Sequence, residues 1–138
     1  GFLKVIENTG LQGRWQLLKE YPKVICDTAH NRHGLEIVLN QIQKMKFDKL
    51  FIVLGVVNDK DLDEILPLFP KKAKYYFCKP NIPRGLDAEI LMKKATLYGL
   101  VGKTFDSVSI AYREALLNAS DADFIYIGGS TFVVAEVL

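Results

Sequence analysis

The sequence predicts an α/β fold in which a doubly wound, mostly parallel sheet carries helices on both faces. Apolar runs rich in β-branched and aromatic residues alternate along the chain with segments of helical period. The run Leu50–Leu54 is apolar throughout, which is typical of a strand buried on both faces of a sheet. Right-handed crossovers between parallel strands would place the helices on both sides of that sheet.

Each element follows from a local pattern. Leu35, Val38 and Ile42 are spaced by three and four residues, as on one face of a helix. An extended segment from Gly13 to Pro22 comes first, because the residue before a proline avoids the helical region. The predicted strands are Lys23–Asp27, Leu50–Leu54, Ala73–Cys78, Val101–Phe105 and Phe124–Ile127. The predicted helices run from Leu35 to Met45, Leu62 to Leu68, Asp87 to Tyr98 and Ser107 (or Asp106) to Asn118, with a further start after Ser130.

The domain is predicted to cover residues 14–138. Residues 1–13 have no sustained period and are interpreted as a linker or the edge of a preceding domain. A chain of 138 residues suits a single core. Because the sequence starts at Gly1 and stops inside an apolar run, we expect a fragment of a longer enzyme.

Composition excludes several classes of protein. A net charge of +2 is too small to predict binding to nucleic acid or to an anionic membrane. No apolar run approaches the roughly 18 residues of a membrane span, and the chain begins with no signal-peptide pattern. Cys26 and Cys78 lie in apolar runs and are expected to be buried free thiols. We therefore expect a cytoplasmic protein.

The loops that follow the predicted strands hold the chemistry-bearing residues. Both histidines of the chain, His30 and His33, lie in the loop Asp27–Gly34. Further strand-to-helix loops are Gly55–Asp61, Lys79–Arg84 and Gly128–Ser130. The carboxyl ends of parallel strands lie at one edge, where such sheets bind ligands, so one cleft is expected to collect these loops.

Several familiar motifs are absent or incomplete. Gly102–Thr104 resembles the end of a P-loop, but Leu97 stands where the first glycine is needed. Gly128–Ser130 lacks the spaced glycines of a dinucleotide fingerprint, and no Gly-x-Ser-x-Gly elbow exists for a serine hydrolase. Two histidines three residues apart lack the further ligands of a metal site, so no metal site is predicted.

A purely structural role remains open for each candidate residue at this point. Asp27 and Ser130 are both suited to cap a helix, and His30 to donate to a backbone carbonyl. Three cations, taken singly, are typical surface side chains: Arg14, Lys60 and Arg84. Their expected placement at one edge of the sheet is what favours a binding role.

Four motifs together resemble a known family. In chain order they are Gly13–Trp15, Asp27–Asn31, Gly55–Asp61 and Gly128–Ser130. Their order and spacing are similar to those of the C-terminal domain of folylpolyglutamate synthase and bifunctional dihydrofolate synthase, in the Mur ligase superfamily. The resemblance covers nearly the whole chain and implies a Rossmann-like fold of the Mur ligase C-terminal domain type.

The resemblance implies an ATP-dependent carboxylate–amine ligase that adds L-glutamate to folate or dihydropteroate through an acyl phosphate. Arg14 would contact the ATP phosphates and Asp27 the ribose, while His30 and Ser130 would hold the incoming glutamate. Further candidate site residues are Asn31, Asp59, Lys60 and Arg84. The P-loop and the Mg²⁺ ligands are expected in an N-terminal domain outside this sequence, so the chain alone should be inactive. A monomer is expected.

Two positions depart from the family pattern. Arg32 follows Asn31 where proline is usual, and Thr28 stands where glycine is frequent. Both change the loop without removing a residue that has an assigned role. Two other hypotheses remain open: the C-terminal domain of a Mur peptide ligase, against which Asp59–Asp61 argues, and a non-catalytic α/β domain that binds a small anion or a protein.

Overall fold

The computed structural model describes residues 14–58 and 61–138 and has the predicted α/β class. Within these residues the strands are β1 (Gln16–Glu20), β2 (Lys23–Cys26), β3 (Leu50–Leu54), β4 (Lys74–Phe77), β5 (Gly102–Thr104) and β6 (Phe124–Gly128). The helices are α1 (Arg32–Gln43), α2 (Leu62–Ile65), α3 (Ala88–Leu97), α4 (Val108–Asn118) and α5 (Thr131–Ala135), with a 3-10 turn at Leu66–Leu68. The predicted linker at residues 1–13 lies outside the described residues.

The six strands described form one sheet in the order β1-β2-β6-β3-β4-β5. All neighbours from β2 to β5 pair in parallel. The extended segment predicted before Pro22 is β1, which pairs antiparallel with β2 at the edge and has an irregularity between Leu17 and Lys19. The sequence did not identify β1 as a sheet strand because its half-exposed residues lack a continuous apolar pattern.

The core has two layers, one on each face of the sheet. Successive residues of β6 alternate between them: Tyr126 belongs to the layer that contains residues of α1, α2 and α3, and Ile127 to the layer that contains residues of α4 and α5. β3 is buried along its whole length, as predicted, and β6 beside it is also buried throughout. Helices therefore cover both faces. No helix of the described residues is long and apolar enough to cross a membrane.

Several element boundaries differ from the prediction, and three of the differences concern β2, α1 and α2. β2 ends at Cys26, and α1 begins at Arg32 rather than Leu35, because Asn31 caps it. The predicted helix from Leu62 to Leu68 is α for one turn and then 3-10. Pro67 lies in that turn and has no backbone N–H with which to continue the α-helical hydrogen bonds, although Leu66 before it keeps α-helical dihedrals.

Both cysteines are free and buried, as predicted. Burial, with a smaller contribution from the negative charge of Asp27, raises the pKa of Cys26 to about 12. Burial also raises the pKa of Cys78 to about 12, with Glu136 adding to the effect. The two thiols are therefore protonated at neutral pH and unsuited to nucleophilic chemistry.

The loops after β3, β4 and β6 are joined at the carboxyl edge of the sheet. The N–H of Asn58 donates to the carbonyl of Arg84 at 2.7 Å, and that of Leu86 to Val56 at 2.9 Å. The N–H of Gly55 donates to the carbonyl of Gly128 at 3.3 Å. The predicted collection of strand-to-helix loops at one edge is thus confirmed.

Candidate functional site

Asp27 is the organising residue of this edge. It follows β2 directly, and only 4% of its surface is exposed. Its Oδ2 accepts from the backbone N–H of Trp15 at 2.7 Å, and its Oδ1 from the N–H of Ala29 at 2.7 Å. Hydrogen bonds donated to a carboxylate are stronger than those between neutral groups. Asp27 therefore ties the turn before β1, which carries Arg14, to the loop that carries His30.

Trp15 has an unusual backbone conformation in that turn. Its φ of 47° lies in the left-handed region, which bulky side chains rarely adopt. Such a conformation costs about 1–2 kcal/mol and persists only when neighbouring contacts enforce it. The bond to Asp27 and packing of the half-buried indole against the core supply those contacts. A sequence pattern does not specify a positive φ at tryptophan, so this feature was not predicted.

His30 is exposed and its ring is oriented by its own loop. Its Nδ1 lies 3.2 Å from the carbonyl oxygen of Thr28. A carbonyl oxygen only accepts hydrogen bonds, so Nδ1 carries the hydrogen. This is the structural role anticipated for His30, and it leaves Nε2 without a partner among residues 14–58 and 61–138.

Asn31, rather than Asp27, is the N-cap of α1. Its side-chain oxygen accepts from the N–H of Gly34 at 2.9 Å. A Cβ at Gly34 would lie 3.3 Å from both Ala29 Cβ and this oxygen, so the glycine permits the tight loop. Asn31 thus fixes the start of α1 beside His30.

A cleft of about 410 Å³ opens between these segments. Four predicted site residues line it, namely Arg14, Asp27, His30 and Asn31. Trp15 and the α1 residues Ile37, Val38 and Gln41 also line it. Ile37 is 55% exposed, so the cleft has an open apolar wall opposite its polar loop. The structure therefore brings together the residues that come from the first two motifs.

Ser130 lies at the same edge but not among the residues that line this cleft. It is buried and caps α5, with its Oγ accepting from the N–H of Val133 at 3.2 Å. Gly129 before it has a φ of +107°, and a Cβ there would collide with the carbonyl of Gly55. This close approach of two backbones explains why glycine precedes Ser130.

Arg84 lies beside the helix that Ser130 caps. Its Cζ is 5.7 Å from the centre of the Phe132 ring, a cation–π contact. The N–H of Asn81 in the same loop donates to Oε2 of Glu136 at 2.7 Å. The loop after β4 is therefore packed on α5. The predicted site residues Asp59 and Lys60 lie outside the described residues, between Asn58 and the start of α2.

Tyr126 is a feature of this edge that the sequence did not indicate. It is completely buried in β6, and its hydroxyl has no hydrogen-bond partner among residues 14–58 and 61–138. Burial, with smaller effects of Asp27 and Cys26, raises the pKa of this phenol well above its usual value. The hydroxyl occupies the space that a side chain at Gly128 would need. In the sequence, an aromatic residue inside a strand indicates only a core position.

Within the described residues no group of three or more His, Cys, Asp or Glu side chains is placed to hold a metal ion. The edge instead offers permanent cations, a buried carboxylate, an oriented imidazole and a capping hydroxyl. Such a set suits an anionic ligand with additional hydrogen-bond donors.

Comparisons with family models, with known protein sequences and with solved structures all indicate the same family. A family model described as the Mur ligase, glutamate ligase domain, matches residues 13–131. The dihydrofolate synthase/folylpolyglutamate synthase of Escherichia coli (strain K12) is 34% identical over 130 residues, which are 93% of this chain and 30% of that protein. The chain therefore spans about a third of the length of this relative.

Solved structures of proteins from this family have a similar fold. A structure of E. coli FolC in complex with DHPP and ADP superimposes with a TM-score of 0.83 at 33% identity, covering 92% of this chain and 30% of that one. A bifunctional folylpolyglutamate synthase/dihydrofolate synthase with Mn, AMPPNP and L-glutamate bound gives a TM-score of 0.83 at 31% identity, with 92% and 30% covered. Both share the six-stranded fold described above.

Proposed function

The chain belongs to the Mur ligase family, as a glutamate ligase domain, and from this premise we propose that it is the C-terminal domain of a folylpolyglutamate or dihydrofolate synthase. The observation that carries the proposal is the double hydrogen bond of Asp27 to Trp15 and Ala29. It joins two of the family motifs and places Arg14 and His30 on one cleft.

The proposed reaction is ATP-dependent amide formation. ATP phosphorylates a carboxylate of folate or dihydropteroate, and the amino group of L-glutamate attacks the acyl phosphate. This domain supplies one wall of the active site and brings glutamate to it. The other wall, with the P-loop and the ligands of Mg²⁺, belongs to a part of the enzyme outside this chain. Mg²⁺ would neutralise phosphate charge there.

Arg14 and Asp27 are assigned to ATP. A guanidinium presents donors that match phosphate oxygens, and it remains charged at all relevant pH values. Each oxygen of Asp27 already accepts one backbone N–H, and a carboxylate oxygen has a second lone pair that can accept from a ribose hydroxyl. Asp27 would therefore position the loop and contact the nucleotide at the same time.

His30 and Ser130 are assigned to glutamate, with Arg84, Asn31, Asp59 and Lys60 as further candidates. The packing of Arg84 on Phe132 supports this, because it holds a permanent cation beside the helix that Ser130 caps. A structural relative carries L-glutamate together with a nucleotide and Mn. The two carboxylates of glutamate require hydrogen-bond donors such as the guanidinium of Arg84 and the hydroxyl of Ser130.

Steady-state kinetics of the full-length enzyme test the proposal. Glutamate-dependent ADP formation is measured with dihydropteroate, a reduced folate and a UDP-muramyl peptide as acceptors. We expect activity with one or both pteridine substrates, and we expect His30→Ala and Ser130→Ala to raise the KM for glutamate by about 10-fold or more. Activity with only the muramyl peptide, or unchanged glutamate kinetics in both variants, would contradict the assignment.

The 138-residue chain is expected to bind ATP weakly on its own, because it lacks a P-loop. Isothermal titration calorimetry with ATP measures this directly. Micromolar affinity would show that the chain carries a complete nucleotide site, contrary to the proposal.

A further inference from the structure

His30 presents one particular ring nitrogen to the cleft. The contact of Nδ1 with the carbonyl of Thr28 at 3.2 Å fixes the hydrogen on Nδ1. In a neutral ring Nε2 then carries a lone pair. It can accept a proton or a hydrogen bond, but it cannot donate a hydrogen bond. The structure shows no partner for Nε2 among the described residues, and His30 lines the open cleft.

This tautomer decides which end of a glutamate molecule His30 complements. A carboxylate only accepts hydrogen bonds, so a neutral His30 cannot hold one through Nε2. The α-ammonium group of glutamate has three N–H donors and matches a lone pair. The carboxylates are complemented by the cation Arg84 and the hydroxyl of Ser130, which lie together at α5.

The charged groups that line the cleft with His30 are Arg14, from the turn before β1, and Asp27, from the same loop, while Arg32 and His33 follow His30 in the first turn of α1. Asp27 is buried and already accepts two backbone N–H groups, so it is not an alternative proton acceptor in the cleft. His30 is the group in the lining that has a free lone pair on nitrogen.

We propose that Nε2 of His30 accepts a proton from the α-ammonium group of glutamate and so generates the attacking amine. The inference rests on the proposed function, because it requires glutamate and an acyl phosphate as co-substrates. One ammonium N–H bond breaks and its proton moves to Nε2. The amine nitrogen then bonds to the acyl carbon, the bond from that carbon to the phosphate oxygen breaks, and the second proton leaves with the phosphate. His30 returns its proton to solvent.

The pH dependence of kcat/KM for glutamate tests this in the full-length enzyme. Loss of a general base costs about 100-fold or more at neutral pH, which is the defect expected for His30→Ala. At about pH 10 amino groups lose their proton to solvent, so the defect should shrink to about 3-fold or less. His33→Ala is the matched control, since His33 is a histidine of α1 three residues away that lies outside the cleft lining, and wild-type behaviour is expected. A His30→Ala defect of equal size at both pH values and confined to KM would overturn the proposal.

A second variant separates proton transfer from carboxylate binding. His30→Arg keeps a cation that can hold a carboxylate but removes the proton acceptor. We expect it to be as impaired as His30→Ala at neutral pH. Retention of wild-type kcat and KM for glutamate in His30→Arg would show that His30 binds a carboxylate instead.

Trapping with hydroxylamine distinguishes failure of this inference from failure of the proposed function. Hydroxylamine is an uncharged nucleophile at neutral pH and needs no base, so ATP-dependent hydroxamate formation from the pteridine substrate should fall far less in His30→Ala than glutamate ligation does. Absence of hydroxamate in the wild-type enzyme would contradict the acyl phosphate and the proposed function. Normal trapping combined with a pH-independent glutamate defect would contradict the role of His30 alone.

Discussion

Two buried aspartates at opposite edges of the sheet each accept hydrogen bonds from two backbone N–H groups. Asp27 is 4% exposed and Asp123 is 3% exposed. At the carboxyl edge, Asp27 accepts the N–H groups of Trp15 and Ala29, both at 2.7 Å. At the amino edge, Asp123 accepts those of Lys49 at 3.0 Å and Ser120 at 2.7 Å. Each carboxylate joins two segments that are distant in sequence.

The segments that the two carboxylates join are different. Asp27 connects the turn of Arg14 to a loop that enters α1, and both border the cleft of about 410 Å³. Asp123 connects loops that enter β3 and β6, so no helix begins there. A second cleft of about 360 Å³ at that edge has charges of both signs and no histidine in its lining. A buried, hydrogen-bonded aspartate therefore does not identify a site by itself, whereas open α/β sheets bind ligands at the carboxyl edge, on which Asp27 lies.

The largest expected difference between the two aspartates is in catalysis. In the full-length enzyme, Asp27→Ala should lower kcat/KM by about 100-fold, because misplacing reacting groups by an ångström costs that much. Asp123→Ala should stay within about 2-fold of wild type per folded molecule. Steady-state ADP formation, normalised to the folded fraction by circular dichroism, measures both. A larger loss in Asp123→Ala would reverse the comparison.

Stability should respond similarly at the two edges. Each substitution leaves two backbone N–H groups without their acceptor, which costs about 2 kcal/mol. Urea unfolding of both alanine variants should therefore show similar losses in the free energy of unfolding. If only Asp123→Ala loses stability, the bonds of Asp27 to Trp15 and Ala29 do not hold the carboxyl edge together.

Tyr126→Phe is expected to stabilise the protein by about 1 kcal/mol, because its buried hydroxyl has no partner in the described part of the chain and so disfavours the folded state. Ligase kinetics should not change, since the hydroxyl lies in the core below Gly128. Chemical unfolding together with kinetics measures both quantities. A loss of stability would mean that the hydroxyl has a partner, and a loss of activity would extend the functional edge into the core.

The smallest expected effect is on the thiol of Cys26. Burial is the main cause of its raised pKa of about 12, and the charge of Asp27 adds to it. Asp27→Asn should therefore lower the pKa of Cys26 slightly, whereas Asp123→Asn should leave it unchanged. Because the folded-state pKa is raised, both thiols favour folding below the ordinary thiol pKa of 9.0 and lose that contribution as the pH rises towards 12. Alkylation rates across that range measure the shift, and equal rates in the two variants would contradict it.

Much of this architecture could be predicted because its causes are local. The continuous apolar run of β3 and the three-and-four spacing in α1 depend on neighbouring residues. The rule that parallel strands share a carboxyl edge predicts Asp27 and Ser130 at the same edge, where both lie, although Ser130 is not among the residues that line the Asp27 cleft. Arg14 and His30 were identified from their motifs, and the structure places both on the cleft.

The features that could not be predicted depend on contacts distant in sequence. The acceptor for Trp15 lies 12 residues later, and that for Lys49 lies 74 residues later. No local pattern shows which aspartate will be buried or which loop it will join. For the same reason Asp27 could be taken for a helix cap, although Asn31 has that role. The fit of the Tyr126 hydroxyl under Gly128 is likewise visible only in the folded chain.

Hydrogen–deuterium exchange of the full-length enzyme tests the central claim most directly. The claim is that the carboxyl edge organised by Asp27 binds nucleotide and glutamate, and that the amino edge at Asp123 does not. With a non-hydrolysable ATP analogue and glutamate present, the amides of Trp15 and of residues 28–34 should exchange several-fold more slowly, whereas residues 44–49 and 119–123 should exchange at unchanged rates. Protection at the amino edge, without protection of the Asp27 loop, would contradict the account.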